Sequence, residues 1–293
     1  MRRLALLLAA MGVISVGAMA ETSALKVTNI GQELEIENVS GSTNGDIGAT
    51  TFTTTVGLSY EDWLFSVQAG KMWDIDSDNG FDSTNGRMQF DVWNKINDNL
   101  NLGFRYRGES DNDRYYGRAE WNYGMVYGAA DVWYQSVNGN GNDNLEAEIF
   151  PVGINYGAFK AAWFVNYWKS IGNTEIGDKT EYLENQIRLY ADLYKGEKLT
   201  LSAEARITLT ADVDYEGGKK VAKSPKANSV EYVYKDFGRN RFYLGASYQV
   251  TESLNVYGKY AYEFRELDVV KTSERTDSQN YYGDFIVGWN YTF

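Results

Sequence analysis

A strict alternation of apolar and polar residues is the feature that most constrains this chain. In residues 199–210 every odd-numbered position is apolar and every even-numbered position is polar. Successive side chains of a β-strand point to opposite faces, so the pattern predicts a strand with one apolar and one wet environment. The same alternation occurs in residues 100–108, 183–193, 242–250, 254–264 and 285–293. We therefore predict an all-β chain.

The connections between these runs alternate in length. Short ones lie at 60–62, 96–99, 123–124, 156–158, 195–198 and 251–253. Long polar ones lie at 40–48, 74–85, 108–114, 137–144, 170–180, 212–239 and 267–279. Short turns at one end and long loops at the other are typical of outer-membrane barrels. With a first strand near 30–39 and a last near 280–293, we predict a transmembrane antiparallel up-and-down β-barrel of fourteen strands, with twelve as the alternative.

A soluble fold, either a β-sandwich or an extracellular β-barrel, is the alternative. Its core would have to bury the polar face of each strand, and here that face carries many Arg, Glu and Asp residues, which a dry core does not tolerate. A water-filled interior removes the conflict. The phase of residues 145–156 is ambiguous, because Glu146 and Glu148 fix one phase whereas Val152 and Ile154 fix the other. A β-bulge near Pro151 would reconcile the two phases.

The N-terminus has the features of a secretory signal peptide. Arg2 and Arg3 precede the apolar run 4–10, and Ala18-Met19-Ala20 matches an A-x-A cleavage site. We expect residues 1–20 to be the signal peptide and residues 21–293 to be a barrel in the outer membrane of a Gram-negative bacterium. An uncleaved N-terminal membrane anchor is the alternative, although the apolar run is short for one.

Composition excludes several functions. The chain has no Cys and no His, so Ser-His, Cys-His and Asp-His catalysis and most zinc sites are not available. The 40 acidic residues outnumber the 28 basic ones, which argues against nucleic acid as a partner. Residues 74–80 resemble the start of a calcium loop, but Asn79 and Asn85 occupy the positions that need Gly and Glu. We expect no enzyme activity, no cofactor and no metal.

Strand phase directs particular charged residues into the barrel interior. The candidate pore-lining residues are Arg87, Asp91, Arg105, Arg107, Arg114, Arg118, Glu120, Asp131, Glu146, Glu148, Glu184, Arg188, Asp192, Glu204, Arg206, Arg241, Lys259 and Asp284. Five of the arginines come from three successive strands and are predicted to form one basic wall: Arg87, Arg105, Arg107, Arg114 and Arg118. Such a wall could set up a transverse field that selects solutes. Alternatively, Arg and acidic residues pair and only stiffen the wall.

Two segments carry a resemblance to a known family. Residues 34–41 (LEIENVSG), and residues 254–268 (LNVYGKYAYEFRELD) with 281–293 (YYGDFIVGWNYTF), resemble the first and last strands of the outer-membrane protein G family of monomeric fourteen-stranded porins. Related oligogalacturonate-type oligosaccharide porins end similarly. The aromatic ending 289–293 resembles the signal that the barrel-assembly machinery reads through a terminal Phe, here Phe293.

The resemblance implies a monomer in outer-membrane lipid that passes small hydrophilic solutes, including ions and sugars, by passive diffusion. It also implies that the sixth long loop, 212–239, can fold over the pore. One member of the family has a gate driven by a histidine pair, and this chain has no histidine, so that gate cannot be carried over. The alternative functions are a channel biased to acidic oligosaccharides by the arginine wall, and a surface adhesin or structural barrel.

The leader gives the first testable prediction. We expect the exported chain to begin at Glu21, because signal peptidase needs small residues at Ala18 and Ala20. Ala18→Asp should block cleavage and leave residues 1–20 attached, whereas Met19→Leu, between the two small residues, should not. Intact mass spectrometry of the membrane fraction separates the two products. A full-length mass for the unmodified chain would contradict cleavage.

Overall fold

The computed structural model describes residues 25–39, 48–76, 80–139, 141–175, 178–216, 231–270 and 275–293. Within these residues the chain forms fourteen strands. They are β1 (Lys26–Val39), β2 (Gly48–Tyr60), β3 (Trp63–Asp76), β4 (Gly80–Asn97), β5 (Leu100–Gly108), β6 (Asn112–Tyr123), β7 (Val126–Val137), β8 (Asp143–Tyr156), β9 (Phe159–Ile171), β10 (Lys179–Lys195), β11 (Leu199–Tyr215), β12 (Glu231–Gln249), β13 (Leu254–Val270) and β14 (Arg275–Thr292). The predicted signal peptide, 1–20, lies outside the described residues.

The sheet closes on itself. Each strand pairs antiparallel with its neighbours in sequence, and β1 pairs with β14 from Asn29↔Thr292 to Val39↔Tyr282. The last backbone N–H, of Phe293, donates to the carbonyl of Thr28 at 3.1 Å. Closure leaves no unpaired edge, which is what a sheet in lipid requires. The predicted all-β, up-and-down barrel of fourteen strands is confirmed, and the count of twelve is wrong.

The short turns lie where the alternation predicted them. The residues between strands are 61–62, 98–99, 124–125, 157–158, 196–198 and 250–253. Gly124 (φ 70°) and Gly157 (φ 61°) adopt the left-handed conformation that closes two of these tight turns. In the turn between β2 and β3 a non-glycine residue, Glu61, takes that conformation with φ 50°. We call this end of the barrel the short-turn end.

The opposite end differs from the prediction, because the strands extend into the regions predicted as long loops. β3 runs to Asp76 and β4 starts at Gly80, so most of the predicted loop 74–85 is strand. The predicted sixth loop, 212–239, is likewise shortened, since β11 ends at Tyr215 and β12 starts at Glu231. Its remaining part, including 217–230, lies outside the described residues, and so does the predicted folding of this loop over the pore. The first strand also starts earlier than predicted, at Lys26.

The bulge predicted near Pro151 is confirmed. In β8, Ile149 pairs with Val165 and Val152 pairs with Trp163, so two residues of β8 oppose one residue of β9. The extra residue shifts the phase of the strand by one position. Glu146 can therefore point to the interior while Val152 points outward, although both numbers are even.

The outer surface of the barrel is apolar. Exposed side chains on it include Leu189, Leu193, Phe242, Leu244, Phe285 and Val287. Aromatic side chains are also exposed on it, among them Trp63, Tyr123, Tyr134, Trp163 and Tyr248. Within the described residues, no helix is long and apolar enough to cross a membrane.

Whether this surface faces lipid can be tested by comparing a charge placed near the bilayer midplane with one placed near the interface. Leu244 (66% exposed) lies five residues from the end of β12, whereas Leu193 (60% exposed) lies two residues from the end of β10. A charge near the bilayer midplane costs about 2–4 kcal/mol and one near the interface about 0–1 kcal/mol. We expect Leu244→Arg to lower the free energy of unfolding much more than Leu193→Arg. Urea unfolding in lipid vesicles, followed by tryptophan fluorescence, measures both. Equal losses would place this surface in water.

Candidate functional site

Side-chain contacts that skip a strand identify the inner face. The Arg118 Nη1 atom of β6 lies 2.7 Å from Asp91 Oδ1 of β4. Lys259 Nζ of β13 lies 2.8 Å from Glu204 Oε2 of β11. Strands separated by one neighbour are about 9–10 Å apart, and side chains converge over that distance only on the concave side of a sheet. The strand phase therefore carries these charged side chains into the barrel.

One cluster lies on β4 to β7 and is centred on Asp91. This carboxylate is 4% exposed and accepts hydrogen bonds from Arg105 Nε (2.6 Å), Arg118 Nη1 (2.7 Å) and Gln89 Nε2 (2.8 Å). Arg118 Nε donates to Asp131 at 2.8 Å, so one guanidinium joins two carboxylates. A buried carboxylate with three donors is well compensated for its loss of water.

Aromatic rings support the same cluster. The guanidinium of Arg118 lies 4.5 Å from the centre of the Trp93 ring. Those of Arg105 and Arg107 lie 5.4 and 5.7 Å from the centre of the Tyr116 ring. Tyr116 in turn stacks on Trp133, with 4.9 Å between ring centres. These contacts fix the direction of each arginine, because the cation is attracted to the ring face.

The five arginines of the predicted basic wall do not form a surface of uniform positive charge. Arg105 and Arg118 are paired with Asp91 and Asp131, and Arg87 Nε bonds Glu109 at 2.7 Å. The exceptions are Arg107 and Arg114, whose Nε atoms donate to Gln89 (2.9 Å) and Asn112 (3.0 Å). No carboxylate of the described residues forms an ion pair with either. The wall is therefore a network of mixed charge, in which only Arg107 and Arg114 lack an ion pair within the described residues.

A second cluster lies on β10 to β14 and is centred on Glu263, which is 1% exposed. Its carboxylate pairs with Arg239 (3.2 Å), Arg241 (2.5 Å) and Arg265. Arg239 also reaches Glu184 on β10, with 3.2 Å between Nη1 and Oε2. The two carboxylates and three guanidiniums form one continuous network. Because this cluster lies on β10 to β14 and the Asp91 cluster lies on β4 to β7, the two occupy separate parts of the barrel wall.

Glu184 is fully buried and has a complete set of donors. It accepts hydrogen bonds from Thr208 Oγ1 (2.6 Å), Gln186 Nε2 (2.8 Å) and the hydroxyl of Tyr182 (2.9 Å) in addition to Arg239. Asp284 lies at the edge of this cluster, 3.9 Å from Arg241 Nη1.

The other candidate residues differ in their surroundings. Arg206 pairs with Glu204 at 2.6 Å, and Arg188 lies 3.4 Å from the centre of the Phe164 ring and donates to Gln186 at 3.0 Å. Within the described residues, four candidate acids form no ion pair: Glu120, Glu146, Glu148 and Asp192. Three of these four are exposed, with Glu146 partly buried.

Sequence reasoning missed two kinds of residue. Arg239 is the last residue of the predicted sixth loop, 212–239, and Glu263 lies in the alternating run 254–264 but is not among the candidate pore-lining residues. Several large aromatics also share the phase of the inward charges: Trp93, Tyr116, Tyr127, Trp133, Phe150, Phe164, Tyr190 and Tyr243. Their position two or four residues from an inward charge was the available signal. In the described part of the chain, no group of three acidic side chains is arranged to hold a metal ion.

The comparisons with known proteins agree with this geometry at the level of the fold. No family model matches the chain, and no curated protein matches it. A solved structure titled "Bacterial polysaccharide outer membrane secretin" is 8% identical, with 94% of this chain and 100% of that chain covered and a TM-score of 0.52. The CymD monoaromatic hydrocarbon channel (10% identical, 93% and 89% covered, TM-score 0.49) and an anion-selective porin from Comamonas acidovorans (11%, 92% and 100%, TM-score 0.45) also match. The chain is thus a closed antiparallel barrel with the fold of outer-membrane barrels.

Proposed function

We propose that the chain forms a water-filled channel through which small hydrophilic solutes, such as ions and sugars, diffuse passively across an outer membrane. The observation that carries this proposal is a closed fourteen-stranded barrel with charged side chains on its inner face. Fourteen strands spaced about 4.8 Å apart and tilted by roughly 40° give a backbone radius of about 14 Å. That is wider than the eight-stranded barrels whose interiors are filled by side chains.

The unpaired charges support a wet interior. Glu120, Asp192 and Lys160 are exposed and form no ion pair within the described residues. An isolated charge in a dry interior would be strongly destabilising, whereas water solvates it at little cost. The paired clusters alone would also fit a rigid, closed wall, so these three residues favour a channel over a purely structural barrel.

A bias towards acidic oligosaccharides is a second candidate function. Arg107, Arg114 and Arg188 have no carboxylate partner among the described residues, and guanidinium groups bind sugar carboxylates through two parallel hydrogen bonds. These arginines would favour anionic solutes, although the acidic side chains along the same wall oppose them.

The finer assignments belong to the same proposal. Fourteen strands, together with the segments 34–41, 254–268 and 281–293, support a place among the monomeric porins related to outer-membrane protein G. We propose a monomer in outer-membrane lipid, exported by a cleavable signal peptide and handed to the barrel-assembly machinery through Phe293. The exposed side chain of Phe293 is accessible for that contact.

Planar-bilayer recording tests the channel. We expect the purified protein to conduct ions, and the double variant Arg107→Gln with Arg114→Gln to become more cation-selective. Each lost charge, at about 8 Å from a passing ion in water, changes the ion's energy by about 0.5 kcal/mol before screening. With screening, two such charges act on cations and anions in opposite directions, so we expect a rise of up to about fivefold in the cation-to-anion permeability ratio at 0.1 M salt and a smaller rise at 1 M.

Lys169→Gln is the matched control. Lys169 has the opposite strand phase to Lys160, is exposed, and pairs with Glu181 at 3.7 Å. Removing this outward charge should leave the permeability ratio unchanged. An unchanged ratio in the double variant would refute the assignment of Arg107 and Arg114 to the ion path. An absence of conductance at every voltage, with no swelling of protein-loaded liposomes in sugar solutions, would refute the channel itself.

A further inference from the structure

A cavity of about 450 Å³ lies inside the barrel near the short-turn end, against the inner face of β7 to β13. Its volume falls within the range of about 300–1,000 Å³ that is usual for small-molecule sites. Four aromatic side chains from four strands line it: Tyr127 of β7, Phe150 of β8, Tyr190 of β10 and Tyr243 of β12. The Asp91 cluster on β4 to β7 contributes no residue to the lining of this cavity.

Tyr127 presents a flat surface to this cavity. A Cβ atom placed on Gly153, its partner in β8, would lie only 2.4–2.8 Å from three atoms of the Tyr127 ring. The ring therefore lies against the glycine backbone and covers the wall, with its other face towards the cavity. The ring of Tyr243, by contrast, is 4% exposed and is covered by the cations of Arg206 (4.7 Å) and Lys259 (4.1 Å).

Polar groups stand around the aromatic surface. Lys160 and Asp192 line the cavity, and both are exposed and form no ion pair within the described residues. Glu204 and Lys259 line it as a pair, with 2.8 Å between Oε2 and Nζ. The cavity thus combines an open ring face with donors and acceptors at its rim.

We infer that this cavity is a binding subsite for a pyranose unit of a neutral sugar. A pyranose ring has an apolar C–H face that can lie on an aromatic ring, and hydroxyl groups at its edge that can bond to Lys160 and Asp192. A wholly apolar solute would leave these charged groups desolvated and unpaired, which is unfavourable. The inference rests on the proposed function, because a sugar reaches the cavity only through an open interior.

Maltotriose block of the ion current tests the subsite, with mannitol as the matched solute that has hydroxyl groups but no ring. We expect maltotriose to reduce the current through the unmodified channel, and mannitol to have much less effect. Tyr127→Leu removes the ring and should raise the half-blocking concentration about fivefold or more. Tyr127→Phe keeps the ring face and should retain block close to that of the unmodified channel.

Tyr257→Leu is the control variant. Tyr257 also lies over a glycine, since a Cβ on Gly288 would be 2.5 Å from its hydroxyl, but it donates to Glu33 at 2.8 Å and does not line the cavity. Its loss should leave maltotriose block unchanged. Equal block in all variants, or equal block by mannitol, would overturn the subsite.

The two proposals fail in different ways. Normal conductance without maltotriose block overturns the subsite and leaves the channel intact. An absence of conductance overturns the channel, and calorimetric titration of maltotriose into the folded protein in detergent then tests the subsite directly. In that titration, equal affinities for the unmodified protein and Tyr127→Leu overturn the subsite, whereas a weaker affinity of the variant alone supports it.

Discussion

The pairing of β1 with β14 is the contact on which the rest of the structure depends. In lipid an unpaired backbone N–H or C=O has no water to bind, so a sheet is stable there only when it closes. Eleven residue pairs, from Asn29↔Thr292 to Val39↔Tyr282, make that closure. In the proposed channel it also separates two solvents, because the outward side chains then meet lipid and the inward side chains meet water. The alternation of apolar and polar residues in the sequence results from that separation.

Inside the barrel the same closure brings opposite charges together. Three buried carboxylates, those of Asp91, Glu184 and Glu263, each accept from at least three donors, some of them from a strand two positions away. Removing one partner from such a network leaves a buried charge uncompensated, at a cost of about 3–5 kcal/mol. The networks therefore hold the wall rigid, and in the proposed channel the groups that form no ion pair within the described residues, such as Arg107, Lys160 and Asp192, are the ones left to meet solutes.

The sequence predicted the strands better than their ends or their contacts. Alternation exists only where one face meets lipid, so it located the membrane-crossing part of β11 and the bulge in β8. It is absent near Gly80, where the polar side chains of residues 82–84 are exposed on both faces of β4, and that part of the strand was predicted as a loop. The strand phase predicted that Arg118 and Asp91 point into the barrel. It did not predict that they pair, because the stagger between β4 and β6 cannot be read from the local sequence. Inward aromatics were missed because Tyr and Trp fit either face.

Glycines on the inner face decide how much of the interior stays open. The rings of Trp93, Tyr127 and Tyr257 each lie over the glycine paired with them on the next strand, Gly103, Gly153 and Gly288. A Cβ on any of these glycines would come within 2.4–2.6 Å of the ring or its hydroxyl. The ring would then have to rise from the wall and enter the solute path. These three large side chains line the barrel without filling it because a residue with no side chain stands opposite each of them.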